Sequence, residues 1–510
     1  MNFYSGGGLG NLLFQHHAAY TIARDKNLPL VTQGVYPTAP DRPCIAHYRN
    51  LFRHVYLDDT LPLPEFVEDA HDLRYRPIPE HVTCIKGYFQ SWKYFKKYQK
   101  DIRDLLRTNE QEKWDKVRDM YTSIKGETRT VCLHIRLGDN LQNPIHCLQP
   151  ESYYADAMTK FPGQRFLMFS DSPDLAQTFD CVKIHDVVCI DEDDPVAAFF
   201  MMSLCDDFII PNSTLSLMAW HMRENTHDAI IHSTPNWHKN NAYITDMEDM
   251  LGAPVSLREI LLEHSVPFSN GKIVIPEWVN SVKIDVGLRY DAPHTQNWIT
   301  QNDKCLVFGF EANKRATDYM FATHEERQNI RIDDYFMPPD HRWTCLDYSL
   351  IGKKCYIIPV ALDLVDEPQL KTFYIVKRTP ASGEDCCSLL KPVQEFCSDP
   401  ETTHVMVYPL SHFMNLLPND TLIDYIKTDV QGKDLDVIKS AGDSIRRVIY
   451  VTVEENTHQY EGSEKNTLQV VAEYLRTKGF MHVHHPDTQD YTFLNGLFQD
   501  KAGIYIWQKG

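Results

Sequence analysis

The residues best suited to chemistry in this 510-residue chain stand at the ends of apolar runs. Val131-Cys132-Leu133-His134-Ile135-Arg136-Leu137-Gly138-Asp139 carries a buried-strand pattern into an imidazole, a guanidinium and a carboxylate. Alternation along a strand puts His134 and Arg136 on the same side. A guanidinium grips phosphate through two parallel hydrogen bonds and stays charged, so Arg136 suits a nucleotide diphosphate leaving group. An Arg136–Asp139 ion pair that holds a loop accounts for the same two residues. Upstream, Gly6-Gly7-Gly8-Leu9-Gly10-Asn11 precedes an apolar-periodic segment. Glycines there allow a ligand to approach the backbone, and a helix N-terminus offers free N–H groups, although a plain glycine turn would look the same. Phe169-Ser170-Asp171-Ser172 and Ile210-Pro211-Asn212-Ser213-Thr214-Leu215-Ser216 end two further strands. Such hydroxyl and carboxylate clusters cap helices or read ribose, base and phosphate.

The second half repeats the design with acids. Val282-Lys283-Ile284-Asp285-Val286-Gly287 is a strand ending in Asp-x-Gly, and Val307-Phe308-Gly309-Phe310-Glu311-Ala312-Asn313 follows. An acid closing the second strand of a Rossmann unit accepts from both ribose hydroxyls, and Asp285 with Gly287 lets the backbone pass close to a cofactor. Helix capping explains either segment taken alone.

Elements must position these groups. Apolar runs suited to strands fall at 130–135, 165–169, 207–210, 304–310, 425–429 and 448–454. Amphipathic stretches suited to helices fall at 12–26, 96–107, 152–160, 197–205, 434–441 and 465–478. Their alternation indicates an α/β class with parallel sheets, whose ligands bind at the carboxyl ends of strands. Residues 265–282 form the expected seam. At roughly 100–200 residues per domain, two to four folding units are expected.

Composition narrows the partners. A net charge of −19 opposes a nucleic-acid-coating or basic membrane-surface protein but leaves room for a nucleotide site. Thirteen cysteines without a CxxC pair read as reduced thiols. The start lacks a signal-peptide pattern, and the apolar stretch 196–210 is interrupted by Asp206 and Asp207 and too short to span a bilayer. A cytoplasmic protein with no membrane span is expected. The acidic run 191–194 reads as a solvated loop, and His482, His484 and His485 lack the partners of a zinc site.

In order, Gly7–Gln15, Gly87-Tyr88-Phe89-Gln90-Ser91-Trp92-Lys93-Tyr94, His134–Asp139, Phe169–Asp171 and Asn212–Ser216 resemble the α-1,2-fucosyltransferase family over residues 1–245. The resemblance implies a two-lobed GT-B-like glycosyltransferase over 1–270, with an acceptor lobe at about 1–125 and a nucleotide lobe at about 126–270. It implies inverting transfer of L-fucose from GDP-fucose to a glycan, with no metal. Arg136 would neutralise the departing diphosphate, assisted by Gly7, Gly8, Gly10 and Asn11, with Asp171, Asn212, Ser213 and Thr214 around the nucleotide. His134 or Asp139 is the candidate base. Two departures are Leu137, where the family has a second arginine, and Leu217-Met218, where it has aromatics.

Asp285–Gly287, Phe308–Asn313, Asp385-Cys386-Cys387-Ser388-Leu389, Ile426–Gly442 and Val451–Glu454 resemble the FkbM methyltransferase family over 280–510. That implies a Rossmann-like domain, S-adenosylmethionine as cofactor and a sugar hydroxyl as acceptor. Glu311 would hold ribose, with Asp285, Gly287 and Asn313 beside the cofactor and Asp429 at the substrate end. Lys427 or Asp429 would assist proton removal, although methyl transfer chiefly needs alignment. The family's second loop glycine is absent: Asp291 stands there. The expected function is therefore bifunctional, fucosylation (α-1,2) followed by O-methylation, with the added fucose as one acceptor. The alternative is another nucleotide-sugar donor, with the second half a non-catalytic glycan- or partner-binding module.

Overall fold

Thr130–Ile135 is buried along its whole length, which is why it reads as an unbroken apolar run and why it lies in the middle of a parallel sheet. The computed structural model describes residues 1–510 apart from 36–42, 70, 139–145, 225–228, 235–236, 238–249, 253–255, 331–344, 377–385, 455–458, 484–490 and 499–510. The chain divides into two units, residues 1–256 with 269–271, and residues 257–268 with 272–510.

The first unit holds two parallel sheets. One contains β1 (Asn2–Tyr4), β2 (Val31–Thr32), β3 (Tyr56–Leu57), β4 (Phe66–Val67) and β5 (Cys84–Lys86) in the order β3-β2-β1-β5-β4. The other contains β6 (Thr130–Ile135), β7 (Arg165–Ser170), β8 (Val187–Cys189), β9 (Asp207–Ile210) and β10 (Ile231–Ser233) in the order β10-β9-β6-β7-β8. Strand order reverses between β1 and β5 in the first sheet and between β6 and β9 in the second. Crevices of open parallel sheets form at such reversals. The glycine turn follows β1, Gly87–Ser91 follows β5, Arg136 follows β6 and Asn212-Ser213 follows β9, so all four segments stand at switch points. Phe3, Leu13, Phe14, Cys132, Leu167, Phe208 and Trp220 join one buried core.

The second unit is built on β11 (Ser281–Val286), β12 (Cys305–Phe310) and β13 (Cys355–Ile358), a small sheet of β14 (Ala361–Leu362), β15 (Gln369–Ile375) and β16 (Glu401–Tyr408), then β17 (Ile423–Thr428), β18 (Val448–Val453), β19 (Phe480–Val483) and β20 (Tyr491–Asn495). The main sheet runs β13-β12-β11-β17-β18-β20-β19, and its reversal falls between β11 and β17. Ile284, Val286, Phe308, Phe310, Ile426, Val451 and Val453 pack beneath the helices Leu410–Leu416, Asp434–Ser440 and Leu468–Thr477. On β11, β17 and β18 the opposite face carries Lys283, Asp285, Tyr425, Lys427, Tyr450 and Thr452.

Two features depart from the all-parallel expectation. β20 runs antiparallel to both β18 and β19, because the stretch joining it to β19 is too short for a crossover. The small sheet pairs β15 with β16 antiparallel and β14 with β16 parallel. Its long strands are buried only at alternate positions near one end, so they lack the apolar run that marks a central strand. Among the described residues, no helix is long and apolar enough to cross a membrane.

Candidate active sites

In the first unit, the helix Leu9–Lys26 starts directly after the glycine turn. Gly7 sits at φ 116° and donates to the Pro43 carbonyl at 2.9 Å. Gln15 reaches back across the turn, accepting from the Gly6 amide at 2.9 Å and donating to its carbonyl at 3.3 Å. Gly8 is the N-cap and supplies no side chain, so the first-turn N–H groups keep no capping partner. A Cβ on Gly10 would lie 2.4 Å from the Leu215 amide nitrogen and 2.5 Å from Thr214 Oγ1. Only glycine lets this helix abut the start of the Thr214–His221 helix. That second helix has Ser213 as N-cap, again with no side-chain cap bond, and Ser213 Oγ is buried without a partner. Two uncapped helix N-termini therefore meet, one following each sheet's switch point. Helix dipoles and free amides of this kind favour an anion.

Arg136 stands just beyond β6. Asp171 Oδ2 is 4.0 Å from its Nε, while Asp171 Oδ1 accepts from the amides of Leu137 at 2.9 Å and Gly138 at 3.1 Å. Asp171 thus clamps the turn that carries Arg136. His134 is buried, and its Nδ1 shares a 2.8 Å hydrogen bond with Ser216 Oγ, which ties β6 to the Asn212–Ser216 segment. Burial, aided by Arg136, pushes the His134 imidazole down to about 3. Asn212 Nδ2 donates to the Trp237 carbonyl at 2.8 Å, leaving its buried Oδ1 unpartnered. Asn11 Oδ1 accepts from Gln90 Nε2 at 3.0 Å, joining the glycine turn to Gly87–Ser91. Asp139 lies outside the described residues.

Sequence reasoning missed Glu68. Its Oε2 accepts from the Tyr88 and Phe89 amides at 2.6 and 2.9 Å, holding Phe89 at φ 54°. Burial pushes its carboxyl up to about 7. A lone glutamate before a loop gives no signal, but Gly87 does: a Cβ there would lie 2.4 Å from Glu68 Cβ.

In the second unit, Gly287 at φ 80° donates to the Phe310 carbonyl at 2.9 Å, and a Cβ on it would fall 1.9 Å from the Asp429 carbonyl oxygen. The ends of β11 and β17 therefore touch, pinned also by the Asp429 amide on the Val286 carbonyl at 2.9 Å. Asp285 is buried; its Oδ2 accepts from Thr295 Oγ1 at 2.7 Å and its Oδ1 has no partner. Glu311 Oε2 accepts from the Arg289 amide at 2.9 Å and Oε1 from the Asn313 amide at 2.7 Å. Burial raises its carboxyl. Each oxygen keeps a second lone pair. Asn313 is the N-cap of the Lys314–Phe321 helix, its Oδ1 accepting from the Arg315 amide at 3.0 Å. Lys427 is buried with Nζ 3.2 Å from Asp429 Oδ2, and Gln431 Nε2 donates to both Asp429 Oδ1 and Glu454 Oε2 at 2.8 Å. Gln431 and Glu454 were not among the expected site residues. The register that sets Lys427 beside Thr452 brings them in, and one sequence does not print that register. Among the described residues, no three His, Cys, Asp or Glu side chains gather as a metal site.

The loop after β11 is filled. Leu288, Tyr290 and Ala292 are buried, Arg289 and Ala292 sit at φ 59° and 39°, and the Arg289 guanidinium grips the fully buried Asp291 carboxylate at 2.9 and 2.6 Å.

Residues 50–249 match the family model Glycosyl transferase family 11, and residues 285–481 match Methyltransferase FkbM domain. The chain thus joins a glycosyl transferase family 11 domain to an FkbM methyltransferase domain. It is 26% identical over 288 residues to the O-antigen biosynthesis glycosyltransferase WbnK of Escherichia coli, covering 46% of this chain and 94% of that protein. It is also similar to the crystal structure of the fucosyltransferase NodZ from Bradyrhizobium, at 13% identity and TM-score 0.28, covering 43% of this chain and 90% of that one. A NodZ α-1,6-fucosyltransferase structure soaked with GDP-fucose gives 14% identity and TM-score 0.29, covering 44% of this chain and 92% of that one.

Proposed function

We propose that residues 1–270 transfer L-fucose from GDP-fucose to a glycan hydroxyl in an inverting, α-1,2-forming reaction. We propose further that residues 280–510 methylate a sugar hydroxyl with S-adenosylmethionine, the added fucose being one acceptor. The observation that carries the first part is the meeting of two uncapped helix N-termini beside Arg136. Negative charge develops on the leaving β-phosphate, and preorganised donors act most strongly where charge develops. Arg136 and the amides of Gly8, Gly10 and Asn11 supply those donors without a metal. Ser213 Oγ and Asn212 Oδ1, buried and unpartnered, are left to read the nucleotide, with Thr214 at the helix start. Asp171 acts through Arg136 by holding its turn. His134, held neutral by burial and engaged with Ser216, positions the nucleotide segment rather than taking the acceptor proton. Asp139 keeps the base role.

The second site fits its cofactor on three counts: a strand-end glutamate with free lone pairs, the orphaned Asp285 Oδ1, and a glycine where no side chain has room. S-adenosylmethionine supplies an electrophilic methyl group on a sulfonium. Glu311 accepts from the ribose hydroxyls, Asp285 faces the adenosine and methionine neighbourhood, and Asn313 keeps Glu311 in place through its amide. Asp429 faces the acceptor hydroxyl, with Lys427 behind it.

Mass spectrometry of products from a defined glycan array, with GDP-fucose and labelled S-adenosylmethionine supplied singly and together, tests both parts. A fucose increment with GDP-fucose, and a methyl increment that requires prior fucosylation, are expected. Methylation independent of fucosylation overturns the coupling, and full transfer by Arg136→Ala overturns the fucosyl site. One observation favours a second reading, that the C-terminal unit binds without transferring: Leu288, Tyr290 and the Arg289–Asp291 pair occupy the loop where the family carries a second glycine. Absence of S-adenosylmethionine binding in calorimetry, with no effect of Glu311→Ala on any activity, decides for it.

A further inference from the structure

Where β17 and β18 end side by side, two carboxyl groups meet. Thr428 pairs with Val453, so Asp429 and Glu454 leave the sheet at the same edge. Each carboxyl lies within electrostatic reach of the other. Gln431 Nε2 lies between them at 2.8 Å from each, and Gln431 is held at φ 55°, followed by Gly432 at 96°. A side chain in that backbone region persists only where its surroundings over-determine it. Here Ser388 Oγ donates to the Gln431 carbonyl at 2.9 Å and fixes the amide that spans the two acids. Two ionised carboxylates bridged by one amide repel each other and can only accept, so a proton on one of them relieves the repulsion and supplies a donor.

The groups facing the pair are unequal. Lys427 approaches from β17, 3.2 Å from Asp429 Oδ2, and its charge also favours ionisation of Glu454, more weakly than burial and Asp429 oppose it. Asp434, from the start of the following helix, adds negative charge toward Glu454, and Glu311 at the end of β12 feels the charge on Asp429. Burial and the neighbouring Asp429 charge push Glu454 up to about 9. Burial opposes ionisation of Asp429, but Lys427, Glu454 and Gln431 hold it well below the usual carboxylate range.

We propose that Asp429 and Glu454 work as a one-proton carboxyl pair, with Glu454 a positioning residue whose O–H donor aims the Asp429 carboxylate at the acceptor hydroxyl. The proposal rests on the methyltransferase reading of this unit. The acceptor oxygen would keep its O–H electron pair for the bond to the donor's methyl carbon, whose bond to sulfur would break with the pair left on sulfur as a neutral thioether, and the hydroxyl proton would pass to Asp429. The pair then holds two protons, and the partly exposed Asp429 returns one to solvent.

Infrared difference spectra of the full chain, wild type minus Glu454→Gln, test the pair without any acceptor. A protonated-carboxyl band is expected at pH 7, lost only as pH rises through about 9. In Asp429→Asn the Glu454 carboxyl loses its anionic neighbour and the band is lost at lower pH, while burial still holds the carboxyl above the ordinary carboxylate range. Absence of the band at pH 7, or its persistence unchanged in Asp429→Asn, overturns the proposal. For methyl transfer to the fucosylated product, Glu454→Ala is expected to cost about 10- to 100-fold, as for a hydrogen bond to a charged group. The wild type is expected to lose activity above pH 9 and Glu454→Gln to show no such alkaline fall; an unchanged alkaline limb in Glu454→Gln counts against the proposal. If the band behaves as expected and the chain binds no S-adenosylmethionine, the cofactor reading fails and the proton pair stands. If methyl transfer proceeds without the band, the pair alone is wrong.

Discussion

The two units place their candidate sites by the same device and give them opposite electrostatics. Both use the point where strand order reverses in a parallel sheet. In the first unit, two uncapped helix N-termini and Arg136 gather N–H donors and positive charge. In the second, Asp285, Glu311, Asp429 and Glu454 stand at the strand ends, with the buried Lys427 ammonium 3.2 Å from Asp429 Oδ2. An electropositive crevice suits a departing diphosphate, and an acidic one suits ribose hydroxyls and a sulfonium. A chain-wide charge of −19 hides this contrast, because a few groups at each crevice set the local field.

If the contrast is functional, each site should fail separately. Arg136→Ala is expected to cut fucosyl transfer about 100- to 1000-fold, the range for removing a preorganised oxyanion donor. Methyl transfer to a pre-fucosylated acceptor should be untouched, and product mass spectrometry reads both. Glu311→Ala is the mirror experiment: about 10- to 100-fold weaker S-adenosylmethionine binding by calorimetry, with fucosyl transfer retained. Equal damage to both activities by either change would break the comparison.

Glycine substitutions sharpen it on the stability side. Gly10→Ala drives a Cβ into the Leu215 and Thr214 backbone, and Gly287→Ala drives one onto the Asp429 carbonyl at a φ of 80°. Each is expected to cost about 1–3 kcal/mol, the range for overpacking. Scanning calorimetry should show each lowering the melting transition of its own unit only.

Acid supplies the smallest effect per residue. Burial holds His16, His17, His134 and His221 of the first unit below their ordinary values, the last three down to about 3. The unfolded chain takes up protons below about 6.5, which the folded unit refuses. Their stability is complete above that pH and is lost as pH falls toward the folded values, about 1 kcal/mol per histidine between pH 7 and 5.5. In the second unit, Glu454 and Asp434 are raised, to about 9 and about 6, mainly by burial, so acid relieves them. The first unit's transition should therefore fall more steeply with acid; a parallel fall of both transitions would contradict these assignments.

The central strands were legible because burial on both faces leaves an apolar run: β6 and β9 occupy the expected residues, and β12 and β18 differ by one at an end. The first helix begins at Leu9 rather than residue 12, since Gly10 inside its first turn looks like part of the loop. The stretch expected as a helix at 96–107 starts with a separate 3₁₀ turn, Lys96–Tyr98, before the helix Gln99–Asn109. The small mixed sheet was invisible because pairing β15 with β16 depends on register between distant segments. At the sites, motif residues such as Gly10 and Gly287 could be named, but whether Asp171 reads a ribose or clamps two amides depends on where its oxygens point. Gln431 shows the other limit, since nothing but the meeting of β17 and β18 sets it between two acids.

Leu288 lies against Gly309 so closely that a Cβ on the glycine would come 2.5 Å from Leu288 Cδ1. The FkbM loop pattern carries alanine at position 288, so leucine there occupies the space a side chain at 309 would need. The two positions are therefore coupled: a side chain at 309 is admitted only where the leucine at 288 swings aside or gives way to a smaller residue, so the loop after β11 and strand β12 change together.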